Sequence, residues 1–225
     1  MDTEIIQKKP FTYKNLFSPA WVWKFVTGLL LLVVAFLANH YAFVYAHAYA
    51  IRPTSSYVGD IILDNIPVVN LNFIIVEGVL LAIAVGILFL ILQPRYILFT
   101  VKALALFMIT RAIFMSLTHM GIYPDHIQPG LGALDNLYLY FNFDTGLFFS
   151  GHTCMPIIAA LALWDRPVLR YTALAIAFIF GVSVLLAHVH YSIDVLAAPF
   201  MAYGIFHLSK YLFPKEYELI RSNLS

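Results

Sequence analysis

Apolar runs long enough to cross a lipid bilayer recur along this chain, and no other feature constrains its fold as tightly. A helix lays about 20 apolar residues across the hydrocarbon core. Runs near that length cover residues 25–45, 71–92, 96–117, 168–188 and 192–213, with a shorter one at 151–164. Lipid offers no partner for backbone N–H and C=O groups, so a spanning segment must be a helix or part of a closed barrel. The runs here are continuous rather than alternating, which selects helices. Of 225 residues, 62% are hydrophobic and 11% charged, with mean hydropathy +0.85; a soluble domain of this size exposes far more charge. The sequence therefore predicts an all-α polytopic membrane protein with six transmembrane helices. Residues 1–19 read as a polar N-terminal tail, 20–213 as the six-helix membrane domain and 214–225 as a C-terminal tail. Ala46-His47-Ala48 and Ala48-Tyr49-Ala50 mimic a leader cleavage site, but the long polar lead and the spanning length of the first run favour a retained helix.

Positive charge sets the orientation. Lys8, Lys9, Lys14, Arg95, Arg166, Arg170, Lys215 and Arg221 fall on one side of the predicted topology, with Trp21, Trp23 and Lys24 as an interfacial anchor. The opposite side holds the 51–70 loop with Arg52 alone, and the 119–149 loop and the turn at His190 with none. The positive-inside rule then places both termini in the cytoplasm. Tyr138, Tyr140, Phe141 and Phe143 of the long loop read as membrane-surface residues. A net charge of +1 creates no bulk field for nucleic acid. The lone Cys154 excludes an internal disulfide and reads as a small packing residue.

Two short segments on the charge-poor side carry chemistry. His190 and Asp194 are four apart, so a helix beginning at 190 would present both on one face. A carboxylate beside an imidazole fixes its tautomer and makes the far nitrogen a competent nucleophile or base; the bland alternative is a local ion pair at a helix start. Ser150-Gly151-His152-Thr153 falls where a loop becomes a helix, and helix N-termini bind phosphate. Gly151 permits close backbone approach, and His152 can protonate a departing oxygen; the alternative is a serine N-cap with an incidental histidine. Arg111, near the outer end of the third run, either clamps phosphate with its forked donors or snorkels to the interface. Lys102 snorkels or pairs with Glu77. His188 and His190 form an H-x-H pair, yet too few further ligands accompany them for a metal site. His40, His47, His119, His126 and His207 have no motif around them.

Ser150-Gly151-His152 and His190-x-x-x-Asp194 resemble the second and third signatures of the type 2 phosphatidic acid phosphatase superfamily. Phe149-Ser150-Gly151-His152-Thr153 and His190-Tyr191-Ser192-Ile193-Asp194-Val195 are most similar to its sphingomyelin synthase branch. Asp60-Ile61-Ile62-Leu63-Asp64 resembles that branch's first-loop motif, and Thr110-Arg111 stands where it has an arginine. Val184 follows Ser183, as in the branch, where the wider superfamily has arginine. Asp144-Thr145-Gly146 replaces the cysteine-glycine-aspartate of the branch, and Arg95 its double arginine. The resemblance implies that His190 attacks phosphorus and becomes a phosphohistidine, that Asp194 orients it, and that His152 serves as acid and then base. It implies that Arg111 and the Ser150 and Gly151 amides hold the phosphoryl oxygens. Asp60, Tyr191 and His188 are candidates for contact with the head group or acceptor. No cofactor or metal is implied.

These features lead to the expectation of a membrane lipid phosphotransferase. It would move a phosphoryl head group from a phospholipid donor to a lipid alcohol acceptor on the periplasmic, extracellular or luminal side, a bacterial inner membrane being favoured by the short tails and compact loops. A lipid phosphate phosphatase that uses water is the nearest alternative. A non-catalytic lipid transporter or scaffold lined by Glu77, Lys102 and Arg111 is the alternative of another class.

Overall fold

Pro19, Pro94, Pro167 and Pro214 each open a helix, the one helical position where the missing N–H costs nothing. The structure is a computed structural model and describes residues 11–52, 54–118, 120–127 and 148–221. Lys8, Lys9, Pro10, Pro53, His119, the aromatic residues Tyr138 to Phe143 and Asp144-Thr145-Gly146 lie outside the described residues.

The described elements are α1 (Tyr13–Leu16), α2 (Pro19–Ala50), α3 (Gly78–Leu92), α4 (Ile97–Leu117), α5 (Gly151–Ala162), α6 (Pro167–Leu186), α7 (Ser192–Leu212) and α8 (Pro214–Arg221). A single π turn, Phe73–Glu77, leads into α3. Among the described residues there is no strand. Among the described residues, five helical segments are long and apolar enough to cross a membrane: Pro19–Ala50, Phe73–Leu92, Pro94–Leu117, Pro167–Leu186 and Ser192–Leu212. The stretch expected as a fourth span is a shorter apolar helix, α5. Its 12 residues reach about 18 Å at 1.5 Å per residue. It ends at Leu163, whose φ −102° and ψ 24° leave helical geometry, and Pro167 opens the next helix.

Small residues let these helices approach. Gly28, Ala35, Ala42 and Ala46 form the buried face of α2, and a Cβ on Gly28 would lie 3.5 Å from Val101 and Lys102 of α4. Gly181 of α6 leaves only 3.2 Å to Val195 of α7 and 3.3 Å to Thr153 of α5. Buried Phe107, Phe149, Cys154, Ala198, Ala202 and Ile205 form the core between α4, α5 and α7. The outward residues are large and apolar, with Phe178, Phe200 and Tyr211 each more than 70% exposed, as suits a surface that meets lipid.

The bundle has two distinct ends. At one, the Tyr13 hydroxyl donates to Ile91 O at 2.7 Å, and Ile220 of α8 packs with Tyr96. Lys102 Nζ meets Glu216 Oε1 at 2.6 Å, with Lys24 Nζ at 3.8 Å. Residues 214–221 are thus a docked helix rather than a loose tail. Lys102 pairs with Glu216 and not with Glu77, because Glu77 caps the far end of α3, about 22 Å along that helix from Leu92. The other end gathers the 54–71 segment, residues 120–127 and the turn between α6 and α7. Val69 N–H donates to Leu186 O at 2.7 Å and Ile127 N–H to Ala187 O at 3.0 Å. These are the two groups of segments that the distribution of Lys and Arg separates.

Candidate active site

The turn between α6 and α7 is made by a left-handed cap. His188 has φ 53°. Its N–H donates to Leu185 O at 2.9 Å, and the Val189 N–H donates to Val184 O at 3.0 Å. That double closure ordinarily has glycine at its left-handed position, and a side chain there costs on the order of 1 kcal/mol. The cap reverses the chain so sharply that His190 is delivered, buried and 1% exposed, to the start of α7.

His190 precedes the helix instead of sitting on its face. α7 starts at Ser192, and Asp194 is its third residue. The Asp194 carboxylate reaches back over the helix start, accepting the Tyr191 N–H at 3.2 Å through Oδ2 and meeting His190 Nδ1 at 3.2 Å through the same oxygen. The spacing of four therefore works through a helix cap, not through the helical repeat that the sequence suggested. With Nδ1 engaged, His190 Nε2 is buried and has no hydrogen-bond partner, as is Asp194 Oδ1.

α5 enters from the side. Phe148 and Phe149 have φ 103° and 29°, strain that non-glycine residues hold only when packing fixes them. Phe149 is fully buried between Phe107 and Phe114, with ring centroids at 5.9 and 6.2 Å. Ser150 follows as N-cap, but its side chain makes no cap hydrogen bond; Oγ is buried without a partner. Its N–H donates to Asp194 O at 2.9 Å, so that amide stitches α5 to α7 and is not offered to a ligand. Cys154 N–H is the first to close onto Ser150 O, at 2.9 Å, so the Gly151 and Thr153 amides have no intrahelical acceptor.

His152, 5% exposed, lies edge to face with His190 at 6.0 Å between centroids and with Phe180 at 6.2 Å. Arg111, 6% exposed on α4, closes the third side. A Cβ on Gly151 would be 3.9 Å from Arg111 Nε and 3.6 Å from Phe107, so the glycine leaves room between the helix start and the guanidinium. Six of the sequence-predicted residues, His190, Asp194, His152, Ser150, Gly151 and Arg111, are therefore brought to one buried locus on α4, α5 and the start of α7.

The three candidates for head-group or acceptor contact diverge. Asp60 accepts Ser192 N–H at 2.7 Å through Oδ2, and Ile62 and Leu63 N–H at 2.9 and 3.2 Å through Oδ1. Burial pushes its carboxyl up, but these donors together hold it below the usual carboxylate value. It caps α7 from outside. The Tyr191 hydroxyl donates to Gly121 O at 2.8 Å and accepts Val58 N–H at 3.2 Å, tying both outer segments to the helix start. His188 is 5% exposed, and neither ring nitrogen has a partner.

Sequence reasoning gave no role to Gly121 or Tyr123. A Cβ on Gly121 would fall 2.7 Å from Ser56 backbone atoms, so only glycine permits the two outer segments to meet. The Tyr123 hydroxyl donates to Asp64 Oδ1, a bond that pushes the phenol up to about 12, and its ring stands against His188 and Tyr191 at 5.1 and 5.8 Å. Neither residue falls in a spacing pattern, since each acts through a contact distant in sequence. Among the described residues no group of three or more His, Cys, Asp or Glu side chains converges as for a metal.

A buried imidazole oriented by a carboxylate, a second imidazole against it, a helix N-terminus and a guanidinium form a set that can hold a tetrahedral oxyanion, attack it and move a proton. Residues 145–211, less than a third of the chain, match the family model described as PAP2 superfamily C-terminal. That stretch contains both histidine segments. No curated protein and no solved structure matches the chain. The match supports the type 2 phosphatidic acid phosphatase superfamily, and with it phosphatase or phosphotransferase chemistry on lipid phosphates.

Proposed function

We propose that this chain is a membrane lipid phosphotransferase that moves a phosphoryl head group from a phospholipid to a lipid alcohol through a phosphohistidine. The observation that carries the reading is His190, whose Nδ1 is held by Asp194 while its buried Nε2 lacks a partner beside the ring of His152. In the first step Nε2 bonds to phosphorus and the bond to the glyceride oxygen breaks, that oxygen taking a proton from His152. In the second, the acceptor hydroxyl gives its proton to His152 and bonds to phosphorus, and the phosphorus–nitrogen bond breaks. Arg111, the Gly151 and Thr153 amides and Ser150 Oγ stabilise the phosphoryl oxygens, where charge develops.

The topology that goes with this reading has six crossings. α5 carries the chain from the site end back to the basic end, and the positive-inside rule puts that basic end and both termini in the cytoplasm. The site then faces the periplasm, the exterior or a lumen, and a bacterial inner membrane suits the compact loops.

Hydrolysis is the second reading, favoured by the phosphatase superfamily whose model matches residues 145–211. In it water replaces the lipid alcohol and the same residues act. Purified protein given head-group-labelled phospholipids, with and without diacylglycerol or ceramide, separates the two by lipid mass spectrometry. Transfer predicts a new lipid carrying the label; its absence under all acceptors leaves only the phosphatase. His190→Ala should lower turnover by at least about 10³-fold and abolish phosphate trapped on the chain. Retained turnover in that variant removes both readings, and saturable lipid transport that survives loss of both His152 and His190 would support a transporter.

A further inference from the structure

Several buried polar groups remain once the proposed reaction is assigned, and His188 is the one best placed to meet a ligand. It rests on the reading of the neighbouring locus as a phosphotransfer site. Three residues beside that locus have side chains suited to touch substrate. Two are already engaged: both carboxylate oxygens of Asp60 accept backbone donors, and the Tyr191 hydroxyl both donates and accepts. His188 is 5% exposed, yet Nδ1 and Nε2 are both without hydrogen-bond partners. Buried polar groups are almost always satisfied, and exceptions call for an explanation.

The backbone sharpens the point. His188 occupies a left-handed position at φ 53° that closes α6. Glycine is the residue that such a cap favours, for it carries no Cβ penalty. The imidazole thus gives the fold no hydrogen bond at this place, only its edge contact with Tyr123. The ring makes no hydrogen bond, and its backbone conformation is one that its own Cβ disfavours. It is two residues from His190 and stands edge-on to Tyr123, whose ring also meets Tyr191.

We propose that His188 is a substrate-contacting residue of this site, hydrogen-bonding an oxygen of the transferred head group or of the alcohol that receives it. Both sources offer the same chemistry, an oxygen that accepts from or donates to an imidazole nitrogen. The proton bookkeeping of transfer stays with His152, and His188 binds without forming or breaking a covalent bond.

His188→Gly separates this role from a structural one, because only a substrate contact moves KM. If the imidazole serves only the fold, the glycine variant melts at the same or a lower temperature and keeps kcat and both KM values within twofold. If it binds substrate, the variant melts at the same or a higher temperature while KM rises at least tenfold for one substrate. A rise for the phospholipid donor assigns the contact to the head group; a rise for the lipid alcohol alone assigns it to the acceptor. His188→Asn, which tolerates the left-handed region and keeps a polar side chain, should recover part of the lost affinity. Unchanged kinetics in His188→Gly overturns the proposal. His190→Ala, assayed in parallel, keeps the two failures distinct: inactivity there with a silent His188→Gly sinks only this inference, whereas activity there sinks the phosphotransfer reading itself.

Discussion

Both ends of this bundle bury ionisable side chains, and they treat them in opposite ways. At the basic end Lys102 is clamped to Glu216 at 2.6 Å, with Lys24 at 3.8 Å and the Phe213 ring 5.0 Å from Lys102 Nζ. Arg95 leaves Nε unsatisfied there, but its guanidinium stands over Tyr96 at 5.0 Å. At the site end Ser150 Oγ, Thr153 Oγ1, His190 Nε2, Asp194 Oδ1 and both His188 nitrogens are buried with no partner. An unmet buried polar group costs about 1–3 kcal/mol. The basic end has used its charges to fasten helices together. The site end leaves comparable groups without a partner in the chain. A buried charge is evidence for structure or for function according to whether its partners already lie within the chain.

The contrast breaks most readily at the basic end. Lys102→Met strands the Glu216 carboxylate and should lower stability by about 3 kcal/mol, read as a lower melting temperature in detergent. Lys102→Met combined with Glu216→Leu should recover most of that loss. Turnover per folded molecule should stay unchanged in both, and a specific loss of kcat would place Lys102 in the reaction.

Asp60 tests the border between the two regimes, since it is satisfied yet sits at the site end. Its carboxyl is held below its ordinary value. The stabilisation is therefore fully present above the unfolded value of about 3.9, and is lost as pH falls through the lower folded value. Asp60→Asn should cost about 1–2 kcal/mol at neutral pH and flatten the acid side of the stability profile below about pH 4. An unchanged profile would mean that the clip to Ser192 contributes nothing.

The smallest effect is expected from Ser150→Ala. It deletes a hydroxyl with no partner, so melting should stay within about 0.5 kcal/mol of the parent or rise slightly. KM for the phospholipid should increase severalfold. A clear loss of stability would show that the serine is a cap after all, and the contrast would weaken.

Much of this was legible in the sequence. Helix positions followed from hydropathy, and boundaries shifted by only a few residues, with the π turn counted into α3, except in α2, which extends to Pro19 and Ala50. Lipid makes the pattern plain, because a spanning helix has to satisfy its own backbone. The locus was legible as well, since Ser150-Gly151-His152 and His190-x-x-x-Asp194 are local in sequence. What was hidden depends on contacts between distant segments. The capping role of Asp60 rests on Ser192, 132 residues away, and the partner of Lys102 lies 114 residues on. The left-handed turn at His188 was hidden for a different reason: glycine would have announced it, and histidine does not.

The hydrogen bond from Ser150 to the carbonyl of Asp194 has a consequence for biosynthesis. It joins the entrance of α5 to a helix made some forty residues later, so the two imidazoles become neighbours only when the final hairpin inserts. A nascent chain lacking α7 has neither the Asp194 carboxylate that holds His190 nor the carbonyl that holds Ser150. On the proposed reading, the two histidines can act together only once α7 has docked against α5.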